Sequence, residues 1–246
     1  MLDGRMGDPQ QLRRTPAGLP LVSVVIPTFN GADYLPQALE TVRAQDYRPL
    51  EVVAVDDGST DRTLELLRAQ SGVICIEQSH RGVSAARNAG IAAARGDIIA
   101  FLDSDDLWPP DRLTVAVAHF QAHPGVGYVL GKEMLFVEPG FEAPAWVRLE
   151  WLAEPQDASN TAVLVARRET FSRVGTFNTD YASGEDTEWL VRAGEAGVAV
   201  ARLPQVLVRK RIHGANLSAA TFDARKATLA RIARESIHRR RSRLAP

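Results

Sequence analysis

Cysteine is nearly absent: Cys75, in the apolar run VICI, is the only one in 246 residues. A single thiol excludes an internal disulfide, fits a reducing compartment and reads most simply as a small buried hydrophobe. Long apolar runs are missing too. None approaches the length of a spanning helix, and the polar, turn-rich MLDGRMGDPQQLRRTPAGLP lacks the apolar stretch of a signal peptide. Neither sign of charge dominates. With 29 Lys and Arg against 30 Asp and Glu the net charge is −1, which gives no electrostatic reason to expect nucleic acid. No segment repeats and none is of low complexity. A cytoplasmic globular chain is expected.

What is present is alternation. LVSVVIP (21–27), LEVVAVDDGS, GVICIEQ and residues 97–103 read as short apolar strands. Between them, NGADYLPQALETVRAQ places Tyr34, Leu35, Ala38, Leu39 and Val42 on one helical face. Ser59 or Thr60 with Asp61 can open the helix DRTLELLRAQ, and residues 82–94 form a helix of small side chains. Strands this apolar need burial on both faces, so the expected class is α/β: a mostly parallel central sheet with helices on both faces. A further helix is expected from about Pro110 to Ala122. Beyond it the alternation weakens. GVGYVLGKEMLFVEPG reads as a strand or hairpin and FEAPAWVRLEWLAEP as a loop or short helices. TAVLVARRETFSRVG reads as a strand then a short helix, EDTEWLVRAGEAG as a helix and VAVARLPQVLVRKRIHG as extended.

The expected organisation is a flexible lead-in over 1–20, one domain over 21–220 and a basic amphipathic helix over 221–246. In that helix Leu229, Ile232, Ala233 and Ile237 fall at helical spacing among many Lys and Arg. Two readings stand open for it, peripheral contact with an anionic membrane surface and docking on its own domain.

In parallel sheets ligands bind outside the carboxyl ends of the strands, and here those ends carry the polar signals: Thr28 to Asn30, Asp56 to Ser59, and Asp103 to Asp106. Asp103 and Asp105 leave one strand together. Paired carboxylates repel, and a divalent cation such as Mg²⁺ or Mn²⁺ removes that cost. Asp106 or Asp111 reads as a helix cap. Asp56 at a strand exit can accept hydrogen bonds from a ribose or base, or can simply start a turn. The glycine fingerprint GxGxxG and the phosphate loop GxxxxGK[ST] are both missing, which counts against NAD oxidoreductases and P-loop hydrolases. Arg87 is flanked by small residues that fit tight packing or a polar site. Asp186 is a general-base candidate or a helix cap. Alternation would place Arg209, Arg211 and His213 on one side of a strand, facing a diphosphate or solvent.

Taken together, VSVVIPTFNGADYL, VVAVDDGSTDRT, GVSAARNAGIAAARGDIIAFLDSDDLWPPDRL, GEDTEWLVRAGEAG and RIHGANLS resemble the family 2 glycosyltransferases, which have the GT-A fold. The resemblance runs from about Val22 to Ser218. It implies inverting transfer from a nucleotide-diphospho-sugar donor, with a nucleotide-binding half over 21–106 and an acceptor-side half over 107–220. On that resemblance Pro27, Thr28 and Asn30 line the nucleotide site and Asp56 and Asp57 are its acidic pair. Arg87 and Asn88 support the pocket. Asp103, Ser104 and Asp105 match the DxD motif, whose last acid coordinates Mg²⁺ or Mn²⁺, with Asp103 and His213 as further metal candidates. Asp186 matches the catalytic base, with Glu185 beside it, and Arg211 and His213 belong to the closing motif near the diphosphate.

The QxxRW motif of processive synthases and their membrane helices are missing, so a single transfer to a saccharide or lipid-linked acceptor is expected. Such a chain would serve polysaccharide or cell-envelope assembly. Trp146 and Trp151 are acceptor-side candidates that can equally be core. A sugar-phosphate nucleotidyltransferase and a catalytically silent GT-A-like binding domain are the alternatives. The first wants a basic glycine-rich loop where PTFNGADY stands; the second would have lost the DxD or the base.

Overall fold

All seven residues of VSVVIPT are buried, and this segment becomes a central strand. The structure, a computed structural model, describes residues 18–214, 216 and 225–244. Strands β1 (Val22–Thr28), β2 (Leu50–Asp56), β3 (Val73–Glu77) and β4 (Ile98–Phe101) are parallel, in the spatial order β3-β2-β1-β4. The connecting helices are α1 (Leu35–Arg43), α2 (Thr63–Arg68) and α3 (Val83–Ala93). In α3 the small residues allow close packing: a Cβ on Gly90 would lie 2.3 Å from Val25 Cγ1 of β1. The parallel α/β expectation holds here.

Register fixes where the strand ends meet. Thr28 pairs with Asp56, and Asp56 with Glu77. The pairing of β1 with β4 stops at Val25 and Phe101, so the chain after Phe101 runs beside the last turn of β1 before it leaves the sheet. That places the DSD loop against the loop after Thr28.

The second half extends the same sheet. After α4 (Arg112–Ala122), β5 (Val126–Val137) forms one long strand where a hairpin was possible. α5 (Leu149–Ala153) and the two-residue β6 (Gln156–Asp157) follow, and then β7 (Val165–Arg167), antiparallel to both β4 and β5. After α6 (Arg168–Val174) and α7 (Glu185–Glu195), β8 (Ala199–Ile212) runs parallel to β5 along most of its length. Arg112 is a rivet between these parts. It is fully buried, donates to the carbonyls of Ala162 and Leu207 at 2.6 and 2.7 Å, and stacks 4.0 Å over Trp108.

Helix α7 is anchored by Trp189, which is fully buried among Tyr128, Phe171 and Phe177 and donates Nε1–H to the Gly175 carbonyl at 2.8 Å. Removing such a side chain typically costs about 3–5 kcal/mol. The C-terminal helix α8 (Arg225–Leu244) docks on α7. Ile232 is buried, Ser236 and Arg239 bond to Glu195, and Thr228 abuts Gly184. Of the two readings left open for this helix, docking on its own domain is the one that holds for its inner face. Among the described residues no helix is long and apolar enough to cross a membrane. The lead-in before Gly18 and Ser218 of the closing motif lie outside the described residues.

Candidate active site

Four loops converge beyond the β1, β2 and β4 ends. Asn30 adopts a left-handed φ of 50°, a conformation Asn tolerates better than most residues. Its side chain accepts from the Thr60 amide at 2.8 Å, and its own amide donates to Ser59 Oγ at 2.9 Å. The β1 and β2 loops are thus stitched together. Gly31 is required at this junction, because a Cβ there would lie 2.7 Å from Thr28 Oγ1 and 2.9 Å from Ser104 Oγ. Thr28, Gly31 and Ser104 therefore bring the first strand's loop and the DSD loop into contact. Pro27 is buried within β1, opposite Val55.

The acidic pair after β2 divides. Asp57 is buried and its carboxylate accepts from Gln78 Nε2, the Arg81 amide and the Gly82 amide, with His80 Nδ1 at 2.9 Å. It holds the loop that enters α3. Asp56 is equally buried, yet only Oδ2 has a partner, the Ser59 amide at 3.1 Å. Among the described residues, Asp56 Oδ1 and Thr28 Oγ1 are buried polar atoms with no hydrogen-bond partner. Such atoms carry a desolvation cost of about 1–3 kcal/mol, and a ligand that donates to them removes it. Beside them, exposed Phe29 stacks on His80 with ring centroids 4.1 Å apart.

Arg87 links the DSD loop to α7. Its guanidinium is buried and donates to Asp103 Oδ1 at 2.7 Å and Glu185 Oε1 at 2.5 Å. Burial disfavours its charge, but the Asp103 and Glu185 carboxylates hold it protonated. Burial alone would push the Asp103 carboxyl up; Arg87, with Lys210, outweighs that and keeps it below the usual range. For Glu185 burial wins over Arg87, and its carboxyl stands above the ordinary glutamate value. Asp186, the next residue, is half-buried and accepts from the Thr187 amide at 2.6 Å. Asn88 exchanges two hydrogen bonds with the backbone of Phe177, at 2.8 and 2.9 Å, and so fixes the segment leading to α7.

Asp105 faces β8. Its Oδ2 lies 3.0 Å from His213 Nε2 and 3.2 Å from Asn216 Nδ2, and about a quarter of the side chain (28%) remains exposed. Asp103 and Asp105 therefore have different neighbours, an arginine and an imidazole. Arg211 is not open to solvent. It donates to the Asp105 carbonyl at 2.9 Å, to Gln37 at 2.6 Å and to Glu138, and lies 5.0 Å from the Tyr34 ring. In this state it holds the DSD loop in place.

Asp106 does not cap α4, and neither does Asp111, whose side chain makes no capping bond. Asp106 is buried and accepts from the Arg211 amide at 2.9 Å, which pins the turn to β8. Burial and the neighbouring Asp105 push its carboxyl well above the usual range. Along β8, Arg209 and Arg211 lie over the same Phe136 ring, at 5.2 and 4.8 Å, and so share a side as alternation predicts. Arg209 is exposed and stacks on Phe136, whereas Lys210 sits within the field of Asp106, Glu133, Asp103 and Asp105. Burial would strip the proton from Lys210, but those acids raise its affinity for it. The signal for Lys210 was the acidic cluster itself, which needs a nearby cation. Tyr34, Gln37, Glu138 and Asn216 carried no comparable signal.

Trp146 and Trp151 are half-buried and pack against Leu135, Val147 and Ile212 at the ends of β5 and β8. Ile212 immediately precedes His213, so this apolar cluster adjoins it.

Residues 23–180 match the family model described as glycosyl transferase family 2. A glycosyltransferase, AglE, from Haloferax volcanii is 33% identical over 195 residues, covering 74% of this chain and 64% of that protein. A chondroitin synthase from Escherichia coli is 27% identical over 231 residues, covering 90% of this chain and 33% of that protein. Against eight curated relatives the chain spans from 22% to 64% of their length. Among solved structures, a mannosyltransferase from Pyrobaculum calidifontis in complex with GDP-Man and Mn²⁺ superposes with a TM-score of 0.65 at 26% identity. That match covers 84% of this chain and 61% of that one.

Proposed function

The chain belongs to glycosyltransferase family 2, with the GT-A fold, and from that premise we propose that it transfers a sugar from a nucleotide-diphospho-sugar to an acceptor hydroxyl with inversion. The observation that carries this reading is the Arg87 bridge. It joins Asp103 of the DxD loop to Glu185, the neighbour of Asp186 and far from that loop in sequence, which supports a shared site.

Family membership implies a divalent cation, and the donor set of this site accords with one. Asp105 offers a hard carboxylate oxygen with the His213 imidazole beside it. Among the described residues no group of three or more His, Cys, Asp or Glu could hold a metal ion by itself. One carboxylate and one imidazole would suit Mg²⁺ or Mn²⁺, ions that proteins commonly bind through one or two carboxylates together with substrate phosphates. Asp105 and His213 would hold the ion, which when bound offsets charge on the departing diphosphate. Asp103 stays with Arg87 and orients the loop.

Asp56 Oδ1 and Thr28 Oγ1 accept or share hydrogen bonds from the nucleoside, and Asn30 and Ser104 shape the surrounding loops. Asp186 takes the proton of the acceptor hydroxyl as its oxygen bonds to the anomeric carbon. The bond from that carbon to the diphosphate oxygen breaks, and the electron pair leaves with the diphosphate. Glu185, committed to Arg87, positions that turn. Trp146 and Trp151 border the acceptor side, where a saccharide or lipid-linked acceptor of envelope or polysaccharide assembly enters.

A panel of nucleotide sugars, assayed for transfer and slow hydrolysis with and without Mg²⁺ or Mn²⁺, tests this. Metal-dependent turnover of one donor is expected, lost in Asp105→Ala. Turnover that ignores both the metal and that substitution would refute the assignment.

A further inference from the structure

Helix α8 has a second face that the transfer chemistry leaves unused. Its inner face is spent on the domain. Ile232 is buried, Tyr181 donates to Glu235 at 2.8 Å, Arg231 stacks 4.1 Å over Tyr181, and Arg239 pairs with Glu195 at 2.8 Å. The outer face carries Leu229 and Ile237, 45% and 52% exposed, with exposed Ala230 and Ala233 between them. Exposed Lys226, Arg234, Arg240 and Arg241 flank this apolar strip.

Charge is distributed very unevenly. The segment 225–244 holds eight Lys and Arg and a single acid, Glu235, a net of +7 in a chain whose total is −1, so the remainder carries −8. Glu235 is turned inward against Tyr181 and Arg231. No acid therefore faces outward from α8. A helix laid in a bilayer interface has this composition: a few apolar anchors reach the acyl boundary while cations on flexible stems reach lipid phosphates. A purely solvated face would not need Leu229 and Ile237. A nucleic-acid face would need the cations but not the apolar strip.

We infer that the outer face of α8 docks on an anionic lipid surface, with Leu229 and Ile237 as anchors and Lys226, Arg234 and Arg241 meeting the headgroups. The inner face fixes how the docked protein presents its site, because Thr228 rests on Gly184, whose left-handed backbone (φ 80°) starts α7. A Cβ there would lie 2.8 Å from Thr228 Cγ2. A lipid surface under α8 is thus coupled through one contact to the turn that carries Glu185 and Asp186. The docking itself is independent of the transfer reading.

The test is flotation of the full chain with vesicles of phosphatidylglycerol and phosphatidylcholine, against vesicles of phosphatidylcholine alone. Two variants leave the inner face intact: Leu229→Ser with Ile237→Ser, and Lys226→Gln with Arg234→Gln and Arg241→Gln. Circular dichroism and thermal melting establish that both fold. The wild type should float with anionic vesicles only, and less as salt rises. The cation variant should lose about a hundredfold in partitioning, at roughly fivefold per charge, and the apolar variant at least about tenfold. Absence of wild-type flotation, equal flotation with neutral vesicles, or a loss confined to one variant would overturn the inference. The last result would leave α8 a general anion-binding or general apolar face. None of these results bears on turnover of a soluble donor, so failure here is separable from failure of the proposed activity.

Discussion

Arg87 stands between Asp103 and Glu185, 2.7 Å from one carboxylate and 2.5 Å from the other, and joins the loop after β4 to the first turn of α7. Removing one partner from a buried ionic cluster strands the others without compensation, typically at about 3–5 kcal/mol. Arg87→Met should lower the urea midpoint and Tm accordingly. Adding Glu185→Gln should restore part of the loss, because one stranded charge is then gone. If the double variant is less stable than Arg87→Met alone, the cluster is held together by something other than this bridge.

How much of this was legible beforehand depends on which forces act locally. The first four strands were readable because two-sided burial leaves unbroken apolar runs such as VSVVIP. The polar residues at their ends marked the site for the same reason. The division of labour within each acidic pair was not readable. Asp56 and Asp57 are neighbours of identical chemistry, and only the fold of 78–82 decides that Asp57 is saturated. Likewise the partners that hold Arg211, Gln37 and Glu138, come from α1 and the end of β5 and carried no local signal. For Asp106 or Asp111 a helix cap is the local option, but the partner of Asp106 is a β8 amide more than a hundred residues away.

The split between Asp56 and Asp57 has opposite consequences for binding and folding. Asp57→Ala removes the acceptor for two backbone amides at the start of α3 and should destabilise the fold by about 2 kcal/mol. Asp56→Ala gives up one backbone bond and relieves an unpartnered buried oxygen, so its melting temperature should change little. Its affinity for nucleoside diphosphates should fall by about 1–3 kcal/mol, as for a lost ligand hydrogen bond. Calorimetric titration alongside thermal melts separates the two. Equal stability losses would contradict the structural distinction.

Acid should weaken the fold through Glu51. Its carboxylate is buried and accepts from Ser23 Oγ at 2.6 Å, from the Arg95 amide and guanidinium, and from the Gly96 amide. Burial pushes its carboxyl up, but the bonds from Ser23 and Arg95 prevail and hold it below the ordinary value. A depressed folded-state value means that this stabilisation is complete above the unfolded value of about 4.3. It fades as pH falls through the lower folded value. Glu51→Gln should cost about 1–3 kcal/mol at neutral pH and flatten stability below pH of about 4. Urea midpoints measured across pH check this, and parallel acid limbs for the two proteins would rule Glu51 out as the source.

In the proposed mechanism Asp186, not Glu185, takes the acceptor's proton. The direct measurement is donor affinity by calorimetry together with the transfer rate, for Asp186→Asn against wild type. The asparagine keeps the size of the side chain and removes its basicity. Donor affinity should be unchanged and the transfer rate should fall by about 10²–10⁴. Transfer at the wild-type rate would rule out Asp186 as the base.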